Sequence, residues 1–147
     1  MKQLKTFIAS AFLVLFSVAA LQLHAQTPAN HIYHQVTWVM NSGQDSTIRA
    51  ERNVILKEYH EKVTMKNEFI LHSWTMTHFF TDDSRDYIVV TEYADLTGIE
   101  KAFARDGELE KQAWPDAKQR ADFMKKMASY FSHHKDAIFS SMPSLTK

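Results

Sequence analysis

The 147-residue chain contains no cysteine. Disulfides, thiolate nucleophiles and cysteine metal ligands are therefore excluded, and stability must come from packing or from a partner subunit. Glycine is nearly as scarce, with only Gly43, Gly98 and Gly107. Because phosphate-binding loops need several glycines close together, the sequence disfavours nucleotide chemistry, and no cofactor is predicted.

An excess of either charge is also missing, since 17 Lys and Arg balance 17 Asp and Glu. Nucleic-acid binding depends on clustered cations, so no nucleic-acid partner is predicted. The sequence has neither an HExxH motif nor the glycine pattern of a nucleophile elbow. Both absences disfavour the common hydrolase classes.

A secretory leader is the clearest feature that is present. Lys2 and Lys5 precede an apolar run from 7 to 23, and Leu23-His24-Ala25 offers a cleavage site. The apolar core is shorter than the roughly 20 residues that a transmembrane helix needs, so cleavage is favoured over a retained membrane anchor. Ala20-Leu21 is the alternative cleavage site. We expect a periplasmic or secreted protein without a membrane anchor after cleavage.

Cleavage after Ala25 leaves 122 residues, which suffice for one domain. Residues 26–30 are predicted to be a linker and residues 31–147 a single domain. The domain begins with a strand over His31–Met40, rich in aromatic and β-branched residues. An amphipathic helix from about Ser46 to Met65 follows, with apolar residues at helical spacing.

The middle of the domain is predicted to be a β-hairpin. Its strands are Glu68–Phe80 and Tyr87–Ala94, and residues 81–85 suit the turn. A helical segment follows over 99–114, with a break at Asp106-Gly107. Pro115 then suits the first turn of a last helix, which reaches about Ser132. Residues 137–141 are predicted to form a short final strand.

This order predicts an α+β, ferredoxin-like βαββαβ plait, in which a four-stranded antiparallel sheet carries helices on one face. The other face would then be bare, although it carries Trp, Phe, Ile and Met side chains. Pairing two such sheets across a two-fold axis would cover this surface. We therefore expect a homodimer.

The element order and several segments resemble the dimeric α/β-barrel superfamily. The similar segments are Ala113-Trp114-Pro115-Asp116, Tyr130-Phe131 and His134-Lys135-Asp136-Ala137-Ile138. This superfamily includes antibiotic-biosynthesis-type monooxygenases, haem-degrading enzymes and many uncharacterised members. The resemblance implies dimerisation into an α/β barrel and carries no specific catalytic signature.

The second strand holds the densest set of residues that could carry chemistry. His72, Trp74, Met76 and His78 share one face by the two-residue period of a strand. At ~3.3 Å per residue, His72 and His78 lie roughly 20 Å apart, too far to bind one metal ion. Trp74 and Met76 are either core residues or part of a ligand site, and no metal site is predicted.

Glu92 is the leading acid/base candidate. It follows an apolar stretch, so it is either paired, hydrated in a cavity, or exposed at a strand edge. His34 and Trp38 on the first strand are expected to meet Glu92, or else Thr91 and Tyr93, on the third. Strand register decides between these alternatives, because Tyr93 faces away from Glu92.

His133-His134 with Asp136 has the composition of a metal cluster, but a helix end explains it better. The sequence thus supports two functions. The first is binding of a small apolar or aromatic molecule, lined by Trp38, Trp74, His78, Tyr93, Phe103 and Met124. The second is a cofactor-independent lyase, isomerase or monooxygenase that uses His34, His72 or Glu92.

Overall fold

A computed structural model of the protein describes residues 30–77, 85–142 and 144. The predicted leader, its cleavage site and residues 26–29 of the linker lie outside the described residues. So do His78 and most of the predicted hairpin turn. Within the described ranges, no helix is long and apolar enough to cross a membrane.

The described residues form a four-stranded antiparallel sheet and three α-helices. The strands are β1 (Ile32–Met40), β2 (His72–Thr77), β3 (Asp86–Tyr93) and β4 (Phe131–Ser140). The helices are α1 (Ser46–Lys62), α2 (Leu96–Ala113) and α3 (Ala117–Ala128), and a 3-10 turn spans Thr64–Lys66. The strand order is β2-β3-β1-β4. This is the predicted ferredoxin-like βαββαβ fold, with two helices in the second crossover.

Each α-helix begins at an aspartate. Asp45, Asp95 and Asp116 are the N-caps, and each carboxylate accepts the backbone N–H three residues later at 2.9, 2.8 and 2.7 Å. These bonds satisfy amide groups that have no partner within the helix. The helix starts are therefore encoded locally in the sequence.

The predicted break at Asp106-Gly107 is wrong, because α2 is continuous from Leu96 to Ala113. A glycine inside a helix costs only about 1 kcal/mol relative to alanine. Ala102 and Leu109 are buried on either side of Gly107, and their packing outweighs this cost.

The predicted end of the last helix is also wrong. Helix α3 stops at Ala128, and β4 begins at Phe131 rather than at residue 137. The strand pairs with β1 over its full length, from Met40 opposite Phe131 to Ile32 opposite Ser140. This ladder of hydrogen bonds places residues 133–136 in a strand and not at a helix end.

The start of β2 differs from the prediction as well. The strand begins at His72 rather than at Glu68. Phe69 and Ile70 instead pack against a buried cluster formed by Tyr93, Ile99 and Ala102. A second cluster consists of Val63, Leu109 and Trp114.

The helices pack on one face of the sheet only. On the other face, no described element covers Trp74, Met76 and Phe139, whose exposed fractions are 43%, 44% and 51%. We call this surface the open face. Its exposed apolar side chains agree with the bare face that the sequence predicts.

Candidate functional site

A cavity of about 550 Å³ lies between the sheet and the three helices. The strands contribute mainly aromatic and β-branched side chains, and the helices add aromatic side chains and methionines. Five of the predicted site and lining residues face it: His34, Trp38, Tyr93, Phe103 and Met124. Phe103 is 57% exposed, so the cavity is open to solvent beside this ring.

The remaining predicted site residues are elsewhere. Glu92 is aligned with Tyr33 on β1 and with His72 on β2, whereas His34 is aligned with Thr91. Since successive side chains of a strand point to opposite faces, Glu92 and His72 lie on the open face and His34 lies on the cavity face. Of the two alternatives left open by the sequence, the register excludes a contact of His34 with Glu92 and places His34 opposite Thr91.

Trp74 is predicted from the sequence to be among the residues that line the ligand site. In the structure Trp74 lies on the open face instead and does not line the cavity. Its indole stacks on the imidazole of His72, with ring centroids 5.5 Å apart, and on Tyr33 at 6.4 Å. His72, Trp74 and Met76 share one face as predicted. His72, Trp74 and Tyr33 form a stacked group of rings, and both His72 and Tyr33 contact Glu92.

Glu92 is a buried hydrogen-bond centre with three partners. The Tyr33 hydroxyl donates to its Oε1 at 2.9 Å, and Nδ1 of His31 lies 2.5 Å from the same atom. Nδ1 of His72 lies 2.7 Å from Oε2. Only 6% of Glu92 is exposed, so it is a paired carboxylate and not one at a strand edge in solvent.

These contacts set the protonation of Glu92. Burial alone raises the pKa of a carboxyl group, but the hydrogen bonds from His31, His72 and Tyr33 outweigh it and lower the pKa of Glu92. The hydrogen bond to Glu92 in turn raises the pKa of the Tyr33 hydroxyl. Glu92 is thus held as an anion that links three strands. It is a poor proton donor.

Sequence reasoning missed His31 and Tyr33 as partners of Glu92. The signal that could have found them is the alternation along β1, which places residues 31 and 33 on the side opposite His34 and Trp38. What the sequence lacked was the alignment of β1 with β3. The pairing of Tyr33 with Glu92 supplies it.

A second carboxylate is bonded to histidine on the cavity face. Nε2 of His34 lies 2.8 Å from Oδ1 of Asp136, and Nε2 of His134 lies 3.2 Å from Oδ2. The His34 side chain is only 12% exposed, whereas Asp136 is 48% exposed. His34 therefore joins the cavity to a carboxylate at its edge. Asp136 was missed because residues 133–136 were predicted to be a helix end.

The wall next to His34 is aromatic. The ring of His134 packs on Trp38 with centroids 4.5 Å apart, and Phe131 packs on the same indole at 5.3 Å. His34 itself meets Phe103 edge to face at 6.0 Å. These contacts fix the ring positions around the polar atoms of the cavity.

Among the described residues that line the cavity, Asp106 is the only one with a carboxyl group. The amide Nδ2 of Asn67 donates to its Oδ1 at 2.7 Å and to the carbonyl oxygen of Ala102 at 2.9 Å. Burial raises the pKa of Asp106, and the nearby charge of Glu110 adds to this effect, while the Asn67 hydrogen bond opposes it. Sequence reasoning missed Asp106 as a cavity residue because a helix break was expected there.

A metal centre has no support in the described part of the chain. Among residues 30–77, 85–142 and 144, no group of three or more His, Asp or Glu side chains is arranged to hold an ion. His133 and His134 are adjacent on β4 and so point to opposite faces. The metal interpretation of this segment therefore has no geometric basis.

Comparison with known proteins identifies the fold and not a family. No protein-family model and no curated protein sequence matches the chain. Among solved structures, SnoaB, a cofactor-independent oxygenase from Streptomyces nogalater, has a TM-score of 0.52 at 10% identity, over 81% of this chain and 100% of that one.

Two further similar structures are described as dimeric ferredoxin-like proteins. One comes from Thermobifida fusca and is of unknown function, with a TM-score of 0.50 at 9% identity over 80% of this chain and 97% of that one. The other comes from an uncultured marine organism, with a TM-score of 0.52 at 10% identity over 80% and 92%. At these identities the likeness shows the fold alone.

Proposed function

We propose that the protein is an exported homodimer that binds a small, largely apolar or aromatic molecule in the cavity between its sheet and helices. The cavity itself is the observation that carries this proposal. Its volume of about 550 Å³ falls within the 300–1,000 Å³ that is typical of small-molecule sites. Export rests on the leader sequence of residues 1–25.

The lining supports an aromatic ligand. Trp38, Tyr93 and Phe103 provide ring faces and edges, and Met124 provides a polarisable thioether that adapts to ring edges. A few polar groups, His34 and Asp106 among them, would fix the orientation of the ligand. This combination of apolar walls and few polar atoms is typical of ligand-binding cavities.

Homodimer formation is supported by the open face. Trp74, Met76 and Phe139 form an exposed apolar surface that a second copy of the sheet would cover. Two of the similar structures are described as dimeric. We take the second copy as the occupant of this face.

Tetralin and 1-tetralone are suitable probes, since both are bicyclic and the second adds one carbonyl. We expect both to raise the melting temperature of the mature chain and to quench its tryptophan fluorescence through Trp38. Val36 lines the cavity, so Val36→Phe should abolish both effects. Val54 is 65% exposed on α1 and does not line the cavity, so Val54→Phe should retain them. Binding that survives Val36→Phe, or no binding at all, would reject the cavity as the site.

A cofactor-independent enzyme is the second candidate function, and the contact between His34 and Asp136 favours it. A histidine that lines a cavity while a carboxylate holds its far nitrogen is arranged as a general base. SnoaB, which is similar in fold, is a cofactor-independent oxygenase. Turnover of a bound ligand that is lost in His34→Gln, with binding retained, would support this function over binding alone.

A further inference from the structure

His34 and Asp106 are two of the cavity-lining groups that could exchange protons with a ligand. His34 contacts Phe103 edge to face, with ring centroids 6.0 Å apart. Asp106 follows Phe103 by three residues on α2, so its side chain lies on the same side of the helix, one turn further on. Both His34 and Asp106 line the cavity. A ligand that packs against Phe103 would therefore lie within reach of both.

The hydrogen bond to Asp136 prepares His34 to accept a proton. A carboxylate can only accept, so Nε2 of His34 carries the proton in this 2.8 Å contact. Nδ1 then carries the lone pair, and no described residue donates a hydrogen bond to it. Asp136 does not line the cavity, so a ligand would meet Nδ1. Asp136 would stabilise the imidazolium ion that forms after proton transfer.

Asp106 is prepared for the opposite role. Its Oδ1 accepts from Asn67 at 2.7 Å, whereas Oδ2 has no hydrogen-bond partner among the described residues. Burial raises the pKa of this carboxyl group, so a larger fraction of it is protonated than in an exposed aspartate. A protonated Asp106 can donate from Oδ2 to an oxygen atom of a ligand.

We propose that the cavity catalyses the enolisation of small aryl ketones, with His34 as the base and Asp106 as the acid. This inference rests on the proposed binding function and names its substrate class. The carbonyl group supplies the acceptor that Asp106 needs, the adjacent carbon supplies the proton that His34 removes, and the aryl ring fits the aromatic walls.

The step balances without an oxidant or a cofactor. The C–H bond next to the carbonyl group breaks, and its proton passes to Nδ1 of His34. The electron pair forms the C=C bond, and the carbonyl oxygen takes the proton from Asp106. The products are an enol, an imidazolium ion and an aspartate, and the reverse step restores the ketone. Asp136 acts as a positioning residue, because it touches only the base.

Hydrogen–deuterium exchange tests this chemistry directly. The mature chain is incubated in D2O with 1-tetralone, and loss of the proton signal next to the carbonyl group is followed by NMR. We expect exchange at least ten times faster than in buffer alone. His34→Gln and Asp106→Asn should each remove most of this acceleration. Asp136→Asn should slow the exchange and shift its pH profile, since it changes the basicity of His34.

Matched controls separate this inference from the binding function. His133→Gln changes a histidine of β4 outside the cavity and should exchange 1-tetralone at the wild-type rate. Affinity for tetralin should persist in all four variants, which shows that the cavity is intact. Tetralin binding without any accelerated exchange of 1-tetralone would overturn the enolisation proposal and leave the binding function standing. If the wild-type protein does not bind tetralin, both the binding function and the enolisation proposal are overturned.

Discussion

His34 and Glu92 belong to neighbouring strands but lie on opposite faces of the sheet, because their positions differ by one residue in the strand alignment. Glu92 pairs with Tyr33, and His34 pairs with Thr91. Each residue has its own hydrogen-bonding partners: His31 and His72 for Glu92, and Asp136 for His34. The two networks therefore have separate roles, one linking strands at the open face and one facing the cavity.

Glu92→Gln should destabilise the fold. The change removes the charge that accepts from His31, His72 and Tyr33 in a buried position, which costs about 1–3 kcal/mol in the free energy of unfolding. Urea unfolding at neutral pH would measure this loss. Glu100→Gln alters an exposed glutamate of α2 and should leave the free energy unchanged.

The same carboxyl group predicts how stability depends on pH. Because the pKa of Glu92 is lower in the folded chain than its ordinary value of 4.5, its contribution is complete above that value and is lost as the pH falls through the folded pKa. The gap in unfolding free energy between wild type and Glu92→Gln should therefore narrow as the pH falls below 4.5. A gap that widens in acid would contradict the assigned hydrogen bonds.

Two glycine substitutions should have opposite effects. Gly43 has φ of 76° in the turn after β1, a region that costs other residues about 1 kcal/mol, so Gly43→Ala should destabilise. Gly107 lies inside α2, with open space where an alanine Cβ would lie, so Gly107→Ala should stabilise by about 0.5–1 kcal/mol. Thermal unfolding of the pair measures both. If both variants changed the stability in the same direction, one of these backbone assignments would be wrong.

Leu109→Ala should be strongly destabilising. Leu109 is 3% exposed and packs in the cluster with Val63 and Trp114, so truncation leaves a cavity at a cost of about 2–5 kcal/mol. Leu96→Ala is the matched control, since Leu96 is 60% exposed and should change stability by less than about 0.5 kcal/mol. Denaturant titration of both variants gives the comparison.

Trp74→Glu should convert the homodimer to a folded monomer. A charge at this exposed position of the open face would have to be buried against a second copy, which is strongly unfavourable. Light scattering coupled to size exclusion measures the mass, and circular dichroism checks the fold. Val54→Glu, on the helical side, should leave the dimer intact. A wild-type protein with the mass of one chain would reject the dimer proposal.

Much of the fold could be predicted from local patterns. The aspartate N-caps mark the residues at which the helices begin, as Asp45 does for α1. The alternation in β2 places His72 and Trp74 on one face. Element boundaries were less predictable where packing overrode local preference, as in the continuous α2 around Gly107 and in the early start of β4 at Phe131.

The sequence by itself determined the order of the elements, the ferredoxin-like plait and the apolar open face, because these follow from periodicity and capping within short segments. Only the tertiary structure decided which polar residues meet. The contacts of Glu92 with His31 and of His34 with Asp136 join residues 61 and 102 positions apart. They depend on strand register, and a shift of a single residue would have moved every one of these side chains to the other face of the sheet.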